Sequence, residues 1–157
     1  ALNHFAADTY GERGPAVLHV AGERDYAAVR PKVARDDYVL LPTAEHFGEA
    51  LAVADLAISR AGGTVWELAA AGTPAILVPY PHATADHQAL NARYFEEGGG
   101  AIVVRQEELE RIPALVEELL ADPERLPRMS EAMRALAKPE AAEEIADELV
   151  RLAAGRR

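Results

Sequence analysis

The chain of 157 residues contains no cysteine, a single tryptophan, two methionines and only 6% aromatic residues. Without thiols, neither a disulfide framework nor a thiolate metal site is available, which agrees with a reducing compartment. Positive charge is also scarce. Sixteen Lys and Arg stand against 26 Asp and Glu, for a net charge of −10. So acidic a surface repels phosphate backbones, which argues against nucleic acid as a partner. It argues equally against this chain lying by itself on an anionic membrane. No apolar run approaches the roughly 20 residues that a spanning helix needs. The opening segment ALNHFAADTYGE has no initiator Met, is half-polar throughout and does not resemble a signal peptide; it reads as the inside of a helix.

What the chain does have is enough apolar material for a core: 50% of its residues are hydrophobic, at a length that suits one domain over 1–157. Strand-length apolar runs alternate with longer helical patterns. Strands are expected at Val17–Ala21, Tyr38–Leu41, Leu56–Ser59, Ala75–Val78 and Ala101–Val104. Helices are expected at Leu2–Tyr10, Asp25–Ala34, His46–Val53, Thr64–Ala71, Asp86–Glu97, Glu107–Leu120, Leu126–Leu136 and Ala141–Ala153. Such alternation implies βαβ units on a parallel sheet, and short strands with little polar alternation are what buried parallel strands look like. The expected class is therefore α/β, a Rossmann-like parallel sheet flanked by helices. A doubly wound domain normally opens on a strand and a tight turn. This chain opens on a helix, so a strand from the middle of the sheet is expected to be absent.

The most informative stretch is Leu56–Pro74, LAISRAGGTVWELAAAGTP. A buried strand runs into Arg60, Ala61, Gly62 and Gly63, and a helix opens at Thr64. Two glycines let a ligand approach the backbone closely. The free amides and dipole of the following helix favour an anion there, a diphosphate for example. Spacing alone, however, favours a plainer account: Thr64-Val65-Trp66-Glu67 fits a capping box, in which Thr64 and Glu67 satisfy orphan amides and the glycines make only a turn.

The second stretch is Val78–Ala92, VPYPHATADHQALNA. Gln88 and Asn91 are three apart and so share a helix face. Paired amides suit sugar hydroxyls, since each both donates and accepts. The alternative is that Asp86 caps the helix while Gln88 and Asn91 are merely solvated. His82 and His87 lack a third His, a Cys or a well-spaced carboxylate, so no metal and no cofactor is expected. Both stretches follow the carboxyl ends of expected strands, where open α/β sheets bind ligands. That co-location favours a site.

These residues resemble the donor-site signature of the MurG glycosyltransferases, which make lipid II for peptidoglycan. ADLAISRAG, ELAAAGTPAILVP, HQ-x-x-NA and GGGAIVV occur in that family's order and spacing, over almost the whole chain. Ala1-Leu2-Asn3 is similar to the end of the family's GGS-x-GA-x-x-LN segment. The resemblance implies a GT-B architecture of two Rossmann-like domains, of which this chain corresponds to the C-terminal, UDP-N-acetylglucosamine-binding half. It also implies that Glu67 holds the ribose hydroxyls and that Gly62, Gly63 and Thr64 face the diphosphate. Gln88 and Asn91 would contact the hydroxyls of N-acetylglucosamine, and the backbone at Ala44 would read the uracil edge. Arg60 matches a motif arginine of unassigned role. Two departures stand out: Ala61–Thr64 is one residue shorter than in some relatives, and Glu45-His46-Phe47 replaces a more usual Asp-Asp-Met.

The implied reaction transfers N-acetylglucosamine from UDP to the 4-hydroxyl of the muramoyl sugar of lipid I, with inversion. Acceptor, general base and membrane contact would belong to the N-terminal domain, so no residue here is a candidate catalytic base and the chain alone is expected to be inactive. The whole enzyme would be cytoplasmic, peripheral to the inner face of the plasma membrane. The expected gap in the sheet points to a strand-completing partner or to self-association. The competing readings are a donor-binding subunit of a two-chain transferase, a UDP-N-acetylglucosamine 2-epimerase-like domain, and a non-catalytic α/β interaction module.

Overall fold

The structure, a computed structural model, describes residues 2–83 and 86–155. Ala1 and positions 84, 85, 156 and 157 lie outside the described residues, and with them the reading of Ala1 in the opening segment. Among the described residues five strands, parallel within each sheet, alternate with helices: α1 (Leu2–Tyr10), β1 (Val17–Val20), α2 (Glu23–Val29), β2 (Tyr38–Leu41), α3 (Phe47–Val53), β3 (Ala57–Ser59), α4 (Thr64–Ala71), β4 (Ala75–Leu77), α5 (His87–Glu97) and β5 (Ala101–Val103). Then come α6 (Ile112–Ala121), α7 (Arg125–Leu136) and α8 (Ala141–Ala154).

Two expected helices divide. The one placed over Asp25–Ala34 becomes α2 plus a short 3-10 turn, Arg30–Lys32, because Pro31 cannot donate to an α-helical ladder. The one placed over Glu107–Leu120 becomes a 3-10 segment, Gln106–Arg111, followed by α6, with Pro113 seated in the first turn of α6, where its missing N–H costs nothing.

β4 organises the core. Its side chains alternate across the sheet. Ala75 and Leu77 face a cluster with Val65, Leu68 and Ala69 of α4, Ala92 and Phe95 of α5 and Met133 of α7. Ile76 and the following Val78 face Val104, Ile112, Val116, Leu119 and Met129. Both faces are thus covered, which explains why AILV reads as an unbroken apolar run.

The described strands form two sheets, β1-β2 and β3-β4-β5. No described strand joins the two sheets. Ile58 of β3 spans the division, packing against both the β4–α6 cluster and the cluster of α1, α2, β1 and β2. The outer face of the β1-β2 pair is open: Leu18, Val20 and Val39 are 44%, 37% and 47% exposed.

Candidate functional site

Because β3, β4 and β5 run parallel in one sheet, the loops that follow them emerge on one edge of it. The loop after β3 holds Arg60 to Gly63. Gly63 is the N-cap of α4, in a helical conformation (φ −56, ψ −37), and no side chain caps this helix. Gly62 and Gly63 carbonyls already accept from the Val65 and Trp66 amides, at 3.2 and 3.0 Å. Thr64 is therefore the first helical residue and not the cap, and the capping box open from spacing is not formed. Glu67 lies exposed in the first turn, without a hydrogen-bond partner among the described residues. With the Val65 and Trp66 amides so engaged, the N–H groups left at this end of the helix are those of Gly63 and Thr64.

At the other end of α4, Gly72 (φ 74) takes the left-handed conformation and Thr73 N–H donates to the Leu68 carbonyl at 2.9 Å, closing the helix as the sequence AAAGTP suggests.

α5 turns its two amides onto neighbouring loops. Asn91 Nδ2 donates to the Ala61 carbonyl at 3.0 Å. Gln88 Oε1 accepts from the Tyr80 N–H at 2.9 Å. Gln88 Nε2 sits 3.9 Å from where a Cβ on Gly62 would be. Both amides are half-buried and bonded, which corrects the alternative of solvated side chains. Asp86 does stand at the N-cap of α5, but with φ 53 and no side-chain cap bond, so it does not cap as expected.

Arg60 is occupied by protein. Its Nη1 donates to the Val78 and Pro79 carbonyls at 3.1 and 3.3 Å, and its Nη2 to Gln106 Oε1 at 2.7 Å. Its guanidinium lies 5.5 Å from the centre of the Tyr80 ring. Burial lowers its pKa from the ordinary arginine value.

Ala44 is set apart from this group. It lines an open cavity of about 400 Å³ with Leu18, Leu41, Glu45, His46, Glu49, Ala50 and Val53. The link from its loop to the glycine turn is Phe47, which packs against the cluster containing Ala61 and Val65.

Sequence reasoning missed two features. One is Gln106, the side-chain partner of Arg60, which no local pattern marks. The other is a polar chain under the β1-β2 sheet. Asn3 Nδ2 donates to the Ala21 carbonyl at 2.8 Å and to Asp25 Oδ2 at 2.9 Å. Its Oδ1 is then the acceptor for His19 Nε2 at 3.1 Å, which leaves His19 Nδ1 to accept from the Tyr38 hydroxyl at 2.7 Å. A histidine inside the apolar run VLHVA was the available signal. Burial depresses the His19 pKa and raises that of Tyr38 to about 12.

Parallel, helix-flanked strands with glycine and amide loops gathered at the carboxyl ends of β3 and β4 define a Rossmann-like α/β domain. The sequence matches the glycosyltransferase family 28 C-terminal domain over residues 1–148, and the chain belongs to that family. A protein of Rubrobacter xylanophilus is 40% identical, over 99% of this chain and 46% of its own length. One from Alkalilimnicola ehrlichii is 44% identical over 84% of this chain and 38% of its own. Both are named UDP-N-acetylglucosamine--N-acetylmuramyl-(pentapeptide) pyrophosphoryl-undecaprenol N-acetylglucosamine transferase. Among solved structures, Acinetobacter baumannii MurG is similar with a TM-score of 0.73 and 31% identity, over 83% of this chain and 39% of that one. The calicheamicin glycosyltransferase CalG4 gives 0.66 and 29%, over 97% and 40%. This chain spans less than half the length of these relatives.

Proposed function

We propose that this chain, as a single domain over 1–157, binds the donor of a MurG-type transferase that moves N-acetylglucosamine from UDP to lipid I. The observation that carries this reading is the convergence of Gln88 and Asn91 of α5 on the Ala61–Gly63 turn, at the N-terminus of a helix whose first turn holds an unbonded Glu67. In this reading the turn and the α4 amides meet the diphosphate and Glu67 holds the ribose. Gln88 Nε2 and Asn91 Oδ1, the halves not engaged with Tyr80 and Ala61, meet the sugar hydroxyls. The helix dipole then stabilises charge developing on the departing UDP. Ala44 serves the uracil only if the β2–α3 loop reaches the glycine turn when donor binds.

The names of the relatives favour a transferase over an epimerase or an interaction module. Lipid I, contact with the inner face of the plasma membrane and the general base are assigned to a partner domain of the kind that these relatives' greater length accommodates. No residue here is proposed as the base, so the chain incubated with UDP-N-acetylglucosamine and a lipid I analogue should give no product. Turnover above the uncatalysed rate would contradict that division of labour. The binding test is calorimetric titration of the chain with UDP and with UDP-N-acetylglucosamine. Saturable binding of both, tighter for the sugar nucleotide, is expected; no binding of either at millimolar concentration would overturn the reading.

A further inference from the structure

Arg60 sits at the end of β3 in the glycine turn, where an arginine invites assignment as a phosphate ligand. Its donors point elsewhere. Nη1 is held by the Val78 and Pro79 carbonyls and Nη2 by Gln106, while the guanidinium lies against the Tyr80 ring. These contacts tie the ends of β3, β4 and β5 together. The Pro79 carbonyl and the Tyr80 N–H belong to one planar peptide group, and this N–H is the donor to Gln88 Oε1. A carboxamide held through its oxygen has its nitrogen direction set, and the Gln88 nitrogen faces Gly62. We propose that Arg60 is a positioning residue for donor-sugar selection: by holding the Val78 and Pro79 carbonyls it fixes the Tyr80 N–H that orients the Gln88 amide beside Gly62. This rests on the donor-site reading above but assigns Arg60 no contact with donor. A planar guanidinium can serve several carbonyl acceptors in fixed directions where an ammonium cannot, so lysine is a poor substitute.

Two measurements test this. The first needs no ligand: the side-chain amide resonances of Gln88 and Asn91 in the apo chain. Arg60→Ala should shift or broaden those of Gln88 and leave those of Asn91 in place, since Asn91 is held by the Ala61 carbonyl. Arg60→Lys should give the same pattern, and it is read instead if the alanine variant does not fold. Unmoved Gln88 resonances, or equal movement of both amides, would overturn the proposal.

The second is affinity for UDP-N-acetylglucosamine relative to UDP. Loss of one oriented hydrogen bond should lower that ratio about threefold to tenfold in Arg60→Ala. The double variant with Gln88→Ala should lose no more than Gln88→Ala alone. An equal loss for UDP and for the sugar nucleotide would mean that Arg60 touches the diphosphate, and the proposal fails. If the wild-type chain binds neither nucleotide, the donor-site reading falls, and the apo resonances still decide the role of Arg60.

Discussion

At the scale of single residues, Glu67 and His19 carry separable predictions. Glu67 makes no cap bond, so its side chain contributes little to folding beyond a favourable charge in the first turn of α4. If it holds the ribose, Glu67→Ala should weaken UDP binding by about 1–3 kcal/mol through lost charge-assisted hydrogen bonds, with the thermal melt little changed. Calorimetry beside a melting curve separates the two, and unchanged affinity would end the ligand role.

His19 is a matter of stability. Its folded pKa is depressed by burial below the ordinary 6.5, so the unfolded chain takes up the proton first. Stability that is fully present above about 6.5 is therefore lost as pH falls below that value. Asp25, held down at about 2 by Arg24 and Asn3, acts in the same direction only in a lower window, below its usual 3.8. Melting temperature should thus decline from pH 7 to pH 5. His19→Gln, which keeps a donor and an acceptor but no titrating group, should flatten the slope. A slope that persists in the variant would place the titration elsewhere.

Among the elements, the α4 stop at Gly72 was legible in the sequence, whereas the breaks at Pro31 and Pro113 inside two expected helices were not. A left-handed residue closes the helix, and a Cβ there would meet the Arg134 guanidinium at 2.5 Å. Gly72→Ala should cost about 1–2 kcal/mol from the backbone conformation alone, measured by denaturant midpoint; a neutral result would mean that the C-cap has rearranged. α8 is the opposite case. It is amphipathic in sequence, yet none of its residues is buried, and Ile145 and Leu149 are 61% and 62% exposed. A helix of 14 residues without packing is marginal in water. Its amides should therefore exchange far faster than those of α4, and slow exchange in α8 would reveal a surface that covers it.

Over the whole molecule, β1 and β3 each present an edge that no described strand pairs, and the open face of β1-β2 exposes Leu18, Val20 and Val39. Unpaired edges and apolar faces recruit further strands. The chain is thus expected to self-associate, with a mass by light scattering that rises with concentration. A monomer of constant mass with one sharp melt would show that Ile58 and α1 bind the two sheets well enough alone.

The sequence by itself determined the order of the strands, the parallel class and the positions of the two candidate loops, because apolar period and glycine act over a few residues. It also placed Gln88 and Asn91 on one helix face. It did not determine what those side chains touch. The Thr64–Glu67 spacing fits a capping box, but the helix begins one residue earlier. Arg60 stands within a glycine motif, but its donors are taken by carbonyls 18 and 19 residues away and by Gln106, 46 residues away. Such partners are chosen when strands come side by side, and only the tertiary structure decides which acceptor lies within a guanidinium's reach.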